Sequence, residues 1–232
     1  HIQTAGCSLT EQQPLNNIVR VAYQAMAGYL GGCQSLHTDS MDETLGLPTE
    51  TAVRVALRTQ QILAHETGVH RTVDPLGGSW YVEALTDRME EDANSIISEI
   101  DNMGGVVSGI NKGYFRRSIA DASYRFGQEM EAGDRIVVGM NAYQDGNEDQ
   151  QVEILQISNQ VEVDQCERLE AFKKKRDRDL VQRHLDTLRR DAREGANTMP
   201  ALVEASDAGA TMGEMVQALA DVFGRYSGGP EW

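Results

Sequence analysis

Two short stretches of this sequence place polar side chains at positions where buried strands are expected. The first is HIQTAGCSLT, residues 1–10, and the second is CQSLHTDSMDE, residues 33–43. The polar residues at apparent strand positions are Gln3, Thr4, Gln34, Ser35 and Thr38. Their amide and hydroxyl groups can hydrogen-bond a ligand, and a neutral imidazole, such as that of His1, can stabilise charge on a carbonyl oxygen. The alternative is that these side chains point at loops or helices.

A helical pattern separates the two polar stretches. Thr10 lies three residues before Gln13, which is the spacing of a capping box and predicts that a helix follows. The apolar residues at intervals of three and four are Leu15, Ile18, Val19, Ala22, Met26 and Leu30. This spacing predicts one helix face that packs inward. Gly31 and Gly32 end the helix.

Glycine and proline residues divide the next part of the chain into further elements. Helices are predicted over 50–66 and 115–131, and another one runs from the VDPLGG loop to about Met103. The apolar segment RIVVGMN, residues 135–141, has the composition of a short strand. Strands and helices therefore alternate, which is the order of a parallel α/β fold.

The composition changes after residue 141. Residues 142–159 are polar and acidic and contain a DGNED cluster, so we predict a linker there. Residues 160–232 are expected to form a helical C-terminal region, with a highly charged helical hairpin over 160–194 and shorter helices over 200–206 and 211–223. The hairpin's apolar stripe is thin, which suits helices lying on a surface. The predicted domains are thus 1–141, 142–159 and 160–232.

Composition and charge exclude several classes of protein. The net charge of −15 would repel a phosphate backbone, so no nucleic acid is expected as a partner. No apolar run reaches the roughly 18 residues that span a bilayer, so no membrane is expected either. The three cysteines are far apart, which argues against disulfides and zinc and favours a reducing cytoplasm. His65 and His70 have no further ligand in helical register, so no metal site is predicted.

The order of the motifs resembles the adenosylcobalamin-dependent acyl-CoA mutases, the methylmalonyl-CoA and isobutyryl-CoA mutase family. The matching segments are HIQTAGCSLT, QSLHT, DETLGLPT, RTQQILAHETGV, DPLGGSWYVE, GDRIVVGMN and TMGEM. The resemblance implies the C-terminal half of a mutase large subunit, with a partial (β/α)8 TIM barrel over 1–141. At 232 residues, the chain is short of the roughly 250 that a complete barrel takes, and it begins at His1 without a signal peptide. We therefore expect a fragment or a processed chain.

The resemblance also implies roles for individual residues. In the family, the histidine of the first motif closes a barrel strand and hydrogen-bonds the thioester carbonyl, so His1 is the expected catalytic residue, with a structural histidine as the alternative. The expected substrate-binding residues are Gln3, Gln34, His37, Ser40 and Asp42. For His37, a packed or loop histidine is the alternative. Since strand side chains alternate, we expect Gln3, which shares a face with His1, to line the barrel axis rather than Thr4.

The cofactor expected from the resemblance is adenosylcobalamin. SIADA, residues 118–122, is similar to a family segment I-E-E-[A/C]-A near the corrin, and Ala120 replaces the first acid. Contact with the cofactor would therefore involve Asp121 and Ala122. The family's cobalt-ligating D-x-H-x-x-G segment does not occur in this sequence, so the ligand would come from a separate domain or subunit.

The function implied is a radical carbon-skeleton rearrangement of an acyl-CoA. The expected partners are the acyl-CoA substrate, the N-terminal half of the barrel and a cobalamin-binding small subunit, and an oligomer is expected. The alternative is an assembly or binding module that has no activity without a partner chain. The residues that would select the acyl group lie upstream, so the resemblance implies the class of substrate and no particular acyl group.

Overall fold

The computed structural model describes residues 1–144, 146 and 152–226 of the chain. Contacts divide these residues into two compact units, one within His1–Gln156 and the other within Ile157–Gly228. Most of the DGNED cluster of the predicted linker lies outside the described residues. The division into 1–141, 142–159 and 160–232 stays a prediction.

The first unit contains a small parallel sheet. Strand β1, Ile2–Gln3, pairs with β2, Leu36–His37, and the register sets Ile2 opposite Leu36 and Gln3 opposite His37. Helix α1, Asn16–Leu30, connects the two strands. Parallel neighbours need such a crossover connection, so this part of the chain is a βαβ unit.

Four more helices complete the first unit. They are α2 Glu50–Glu66, α3 Trp80–Asn102, α4 Val106–Asn111 and α5 Tyr114–Ala132. The predictions for α2, α3 and α5 are confirmed. The side chain of Thr49 accepts a hydrogen bond from the Ala52 N–H at the start of α2, and Gly133 ends α5 in the left-handed conformation that favours glycine. The short helix α4 follows Gly104 and Gly105, which both have a positive φ.

The start of α1 differs from the prediction. Thr10 does not cap the helix, because Asn17 holds the Thr10 backbone instead: the Thr10 N–H donates to Asn17 Oδ1 at 3.1 Å, and Asn17 Nδ2 donates to the Thr10 carbonyl at 2.9 Å. The helix therefore begins at Asn16. Leu15 and Val19 are exposed, whereas Asn17, Val21 and Ala25 are buried, so the predicted inward face is wrong for its first residues.

The strand predicted over 135–141 is also wrong. This segment forms a turn with a single bridge between Val138 and Ala142. Asn141 explains the difference, since its Oδ1 accepts from the Val137 N–H at 2.8 Å and its Nδ2 donates to the Arg135 carbonyl at 2.8 Å. These side-chain bonds replace the hydrogen bonds that a neighbouring strand would supply. Gly139 has a φ of +81°, which lies outside the strand region.

The second unit consists of helices in the described residues. The predicted helical region over 160–194 is confirmed as two helices, α6 Asn159–Lys175 and α7 Arg178–Glu194, and the shorter helices as α8 Met199–Asp207 and α9 Met212–Phe223. The main contacts of α7 are with α8 and α9, so the packing of α6 and α7 into a hairpin stays a prediction. The core residues of this unit are Val181, Leu185, Leu188, Ala201, Ala205, Ala210 and Ala218. One face of α7 therefore packs against α8 and α9, while α6 is exposed along almost its whole length.

Helices dominate the described residues, and their sheet has two strands. The α/β character of the first unit is confirmed by β1, α1 and β2, but no barrel is visible in the part of the chain described here. No helix among these residues is long and apolar enough to cross a membrane.

Candidate functional site

The carboxyl ends of the two strands bring Gln3 and Thr4 to one acceptor, Asp39. Gln3 Nε2 donates to Asp39 Oδ1 at 3.0 Å, and Thr4 Oγ1 donates to Asp39 Oδ2 at 2.9 Å. The Asp39 N–H donates in turn to Thr4 Oγ1 at 2.9 Å. Thr4 is buried and Gln3 is exposed. β1 ends at Gln3, and the Thr4 N–H still donates to the His37 carbonyl at 3.0 Å, so Gln3 and Thr4 both lie beside the residues that follow β2.

His37 lies at the same place. Its Nε2 atom is 3.5 Å from Asp39 Oδ1, and its side chain is 56% exposed, against 1% for Asp39. Thr38, which follows, is buried and donates its hydroxyl hydrogen to the Ala56 carbonyl at 2.8 Å. The strand ends therefore present Gln3 and His37 to solvent above a buried carboxylate. Asp39 was missed from sequence, and the only signal was an acid immediately after the polar strand positions.

His1 lies at the opposite end of the sheet. It directly precedes β1, and its expected role at a strand end stays a prediction. Its Nδ1 atom is 2.8 Å from Ser35 Oγ, as the register that pairs Ile2 with Leu36 requires. By strand alternation, His1 and Gln3 share a face of the sheet. The His1 ring and the Ser35 hydroxyl that it contacts are both exposed.

Gln34 is separated from Gln3 and His37. It precedes β2 and lines a cleft of about 310 Å³ between α1 and α2, together with Tyr29 and Gln60. This cleft lies at the amino end of β2, whereas Gln3 and His37 lie at the carboxyl ends of the strands.

The side chains of Ser40 and Asp42 are enclosed by the protein. Asp42 is 1% exposed, and its Oδ2 atom accepts from the Thr49 N–H at 2.9 Å and from the Thr49 hydroxyl at 3.1 Å. Ser40 Oγ and Asp42 Oδ1 are buried and have no hydrogen-bond partner. Asp42 therefore holds the residue that caps α2, and its contact with a substrate stays a prediction, as does that of Ser40.

Asp121 and Ala122 are exposed on α5. Among the described residues, no hydrogen bond joins either of them to the strand ends; the Asp121 carbonyl accepts from Arg125 Nε at 3.3 Å, within the helix. Their large apolar neighbours Ile119 and Tyr124 are about 70% exposed as well. This part of α5 is therefore exposed on more than one side, and no hydrogen bond in the described part of the chain joins it to the strand-end residues.

The family model described as methylmalonyl-CoA mutase matches residues 1–225. The chain belongs to the methylmalonyl-CoA mutase family. The match runs through both units of the structure, including the strand ends and the four C-terminal helices. The resemblance found in the motifs is thereby confirmed.

Individual members of the methylmalonyl-CoA mutase family are similar over almost all of this chain. The methylmalonyl-CoA mutase of Rhizobium meliloti is 45% identical over 233 residues, which cover 100% of this chain and 33% of the relative. The 2-hydroxyisobutanoyl-CoA mutase large subunit of Aquincola tertiaricarbonis is 42% identical, with coverage of 97% and 40%. The human mitochondrial methylmalonyl-CoA mutase is 43% identical, with coverage of 97% and 30%. The chain thus spans about a third of the length of these relatives.

Proposed function

We propose that this chain is part of an adenosylcobalamin-dependent acyl-CoA mutase, an isomerase that rearranges the carbon skeleton of a CoA thioester. The observation that carries the proposal is the family match over residues 1–225, since relatives more than 40% identical are named as mutases. The polar side chains at the ends of β1 and β2 support it, because the interior of an ordinary barrel is filled with Val, Ile and Leu. We infer that β1 and β2 are two strands of that barrel.

Substrate binding is assigned to the polar residues of the two motifs. His1 would hydrogen-bond the thioester carbonyl, and its approach to Ser35 supports a fixed ring orientation. Gln3 and His37 are exposed beside Asp39 and would contact the acyl-CoA, together with Gln34, which precedes β2, and with the buried Ser40 and Asp42. Preorganised donors of this kind stabilise charge more effectively than water does, because they need no reorientation during the reaction.

The cofactor contact is assigned to α5. Asp121 and Ala122 are exposed on α5, where Tyr124 lies three residues after Asp121 and Ile119 lies three residues before Ala122, so each has an exposed apolar neighbour that could contact the cofactor. When bound, adenosylcobalamin would supply the radical that starts the rearrangement. The chain's own contribution would be to hold the substrate and exclude water. The cobalt ligand would come from a separate domain or subunit.

A partner chain is part of the proposal. The relatives are about three times as long as this chain, and one of them is named a large subunit. The two-stranded sheet has open edges, which proteins normally pair or cover. We infer an assembly, in the cytoplasm, with a chain that supplies the other barrel strands and with a cobalamin-binding subunit. The second candidate function is a binding or assembly module that has no activity without a partner chain, and the open edges of the two-stranded sheet favour it.

Reconstitution tests the two functions against each other. The chain would be produced together with the remaining N-terminal part of the Rhizobium meliloti relative and a cobalamin-binding subunit, and native mass spectrometry would identify the complex. We expect acyl-CoA isomerisation that depends on adenosylcobalamin, and a loss of about 10²- to 10³-fold in kcat for His1→Ala, as for one oxyanion-type donor. A complex that assembles, binds acyl-CoA and isomerises nothing would favour the binding module.

The affinity for acyl-CoA should change much less than kcat in His1→Ala. Unchanged turnover in this variant would leave His1 a structural residue.

A further inference from the structure

Asp39 is a buried carboxylate where the two parallel strands end. Its Oδ1 and Oδ2 atoms accept hydrogen bonds from two different residues of the first motif, Gln3 and Thr4. The return bond from the Asp39 N–H to Thr4 Oγ1 closes a ring between them. Burial of a carboxylate is costly unless its oxygens are hydrogen-bonded, so rotation of this side chain would break bonds that offset the cost. Asp39 is therefore held in one orientation.

The fixed carboxylate determines which way the Gln3 amide points. An ionised carboxylate only accepts hydrogen bonds, whereas an amide has a donor end and an acceptor end. Gln3 must direct Nε2 to Asp39, at 3.0 Å, and this leaves Oε1 for another partner. Without the carboxylate, the two orientations of the Gln3 amide would differ little in free energy. The exposed Gln3 side chain thus offers an acceptor above the strand ends.

We propose that Asp39 is a positioning residue that orients the Gln3 amide, so that Gln3 presents Oε1 to an N–H donor of the bound acyl-CoA. This inference rests on the proposed function. The pantetheine arm of CoA carries amide N–H groups, which match an acceptor, whereas the thioester carbonyl does not. His37 lies 3.5 Å from the same Oδ1 atom, so Asp39 also restrains the second exposed residue of the site. Asp39 itself is too buried to contact the substrate.

The test uses the reconstituted assembly and two ligands. One is a non-reactive thioether analogue of the acyl-CoA, and the other is the same analogue with N-methylated pantetheine amides, which cannot donate. Asp39→Asn keeps the size of the side chain but allows it to donate, so the Gln3 amide can turn over. The matched control is Asp87→Asn, the same change at an exposed position of α3.

The assembly with Asp39 should prefer the unmethylated analogue by about 10-fold, the value of one net hydrogen bond. In Asp39→Asn this preference should fall to about 2-fold or less, with KM raised and kcat little changed, whereas Asp87→Asn should retain it. The Gln3→Glu assembly should bind the unmethylated analogue poorly, because the new carboxylate would face that of Asp39. Adding Asp39→Asn to Gln3→Glu should restore binding, since the asparagine can then donate to the new carboxylate.

Two results would overturn the proposal. If the Asp39→Asn assembly prefers the unmethylated analogue as strongly as the unchanged assembly does, Asp39 does not orient Gln3. The proposed function would stand in that case. If the unchanged assembly binds neither ligand, the proposed function and this inference both fail. A lower melting temperature in Asp39→Asn with unchanged discrimination would show a structural role alone.

Discussion

The two units of this chain differ in how they bury their apolar side chains. In the second unit, Leu185 and Leu188 are at most 5% exposed and pack on α8 and α9. In the first unit, Leu85, Met89 and Ile96 lie along one side of α3 and are 47% to 65% exposed. Contiguous exposed apolar surface of this kind marks a face that another chain or segment covers. The second unit therefore buries a leucine core, whereas α3 of the first unit leaves an apolar side exposed.

The residues with proposed chemistry all lie in the first unit. Gln3, His37 and Asp39 meet at strand ends, and the strands have two residues each. A two-stranded sheet is marginal in water unless other strands or helices support it. The site therefore depends for its geometry on whatever completes the sheet, which is the physical reason to expect a partner.

The largest expected effect concerns the isolated chain. Its first unit should not behave as a stable, compact monomer, because open strand edges and apolar helix faces favour association. Amide hydrogens of α3 should exchange rapidly in hydrogen-exchange mass spectrometry, while those of α7 stay protected. A monomer that is compact in sedimentation, melts cooperatively and protects α3 as well as α7 would show that the contrast between the units is wrong.

Truncation of a core side chain should have the next largest effect. Leu188 is 0% exposed, so Leu188→Ala should lower the free energy of unfolding of the second unit by about 2 to 5 kcal/mol. The matched control is Leu85→Ala on α3, where the side chain is 47% exposed and the loss should be within about 1 kcal/mol. Urea titration followed by circular dichroism measures both variants. Equal losses of unfolding free energy in Leu188→Ala and Leu85→Ala would contradict the difference in packing between α7 and α3.

Acid should weaken the second unit through Glu214. Arg176 Nη1 donates to Glu214 Oε2 at 2.7 Å and to the Gly209 carbonyl at 2.8 Å, so the pair ties the end of α6 to the start of α9. The hydrogen bond from Arg176 lowers the pKa of Glu214 to about 2, although burial opposes the shift. A carboxylate whose pKa is lower in the folded state stabilises the fold above its unfolded pKa and loses that contribution as pH falls.

The stability of the second unit should therefore decrease between about pH 4.5 and 2, by an amount on the order of 2 kcal/mol. Glu214→Gln should remove most of this pH dependence, and thermal melts at a series of pH values measure it. The control variant is Glu204→Gln, the same change at an exposed position of α8. If Glu214→Gln leaves the acid response unchanged, other carboxylates are responsible for it.

The smallest expected effect is on ligand affinity at the strand ends. Gln3→Leu keeps a similar side-chain length but removes the hydrogen bonds, so in the reconstituted assembly acyl-CoA binding should weaken by about 1 to 2 kcal/mol. Cobalamin binding should be unchanged, and calorimetric titration measures both affinities. Loss of cobalamin with retained acyl-CoA would mean that this strand faces the cofactor and not the substrate.

Local sequence alone was sufficient to predict most of the helices. The limits of α2 and α5 followed from caps, glycines and apolar spacing, which act within a few residues of each helix end, and residues 160–194 were expected to be helical. The motifs that indicated the family are also continuous in sequence. The RIVVGMN segment shows where local patterns fail, because the bonds made by the Asn141 side chain outweigh its strand propensity.

Only the tertiary structure showed the arrangement of the site. Asp39 is 36 residues from Gln3 along the chain, and their hydrogen bond exists because β1 and β2 pair in one particular register. The link between Arg176 and Glu214 spans 38 residues in the same way. Pairings across such distances depend on how whole elements pack, and no pattern within a single helix or strand encodes them. The sequence by itself therefore determined the helices and the family, while packing decided that Asp39 holds the exposed end of β1.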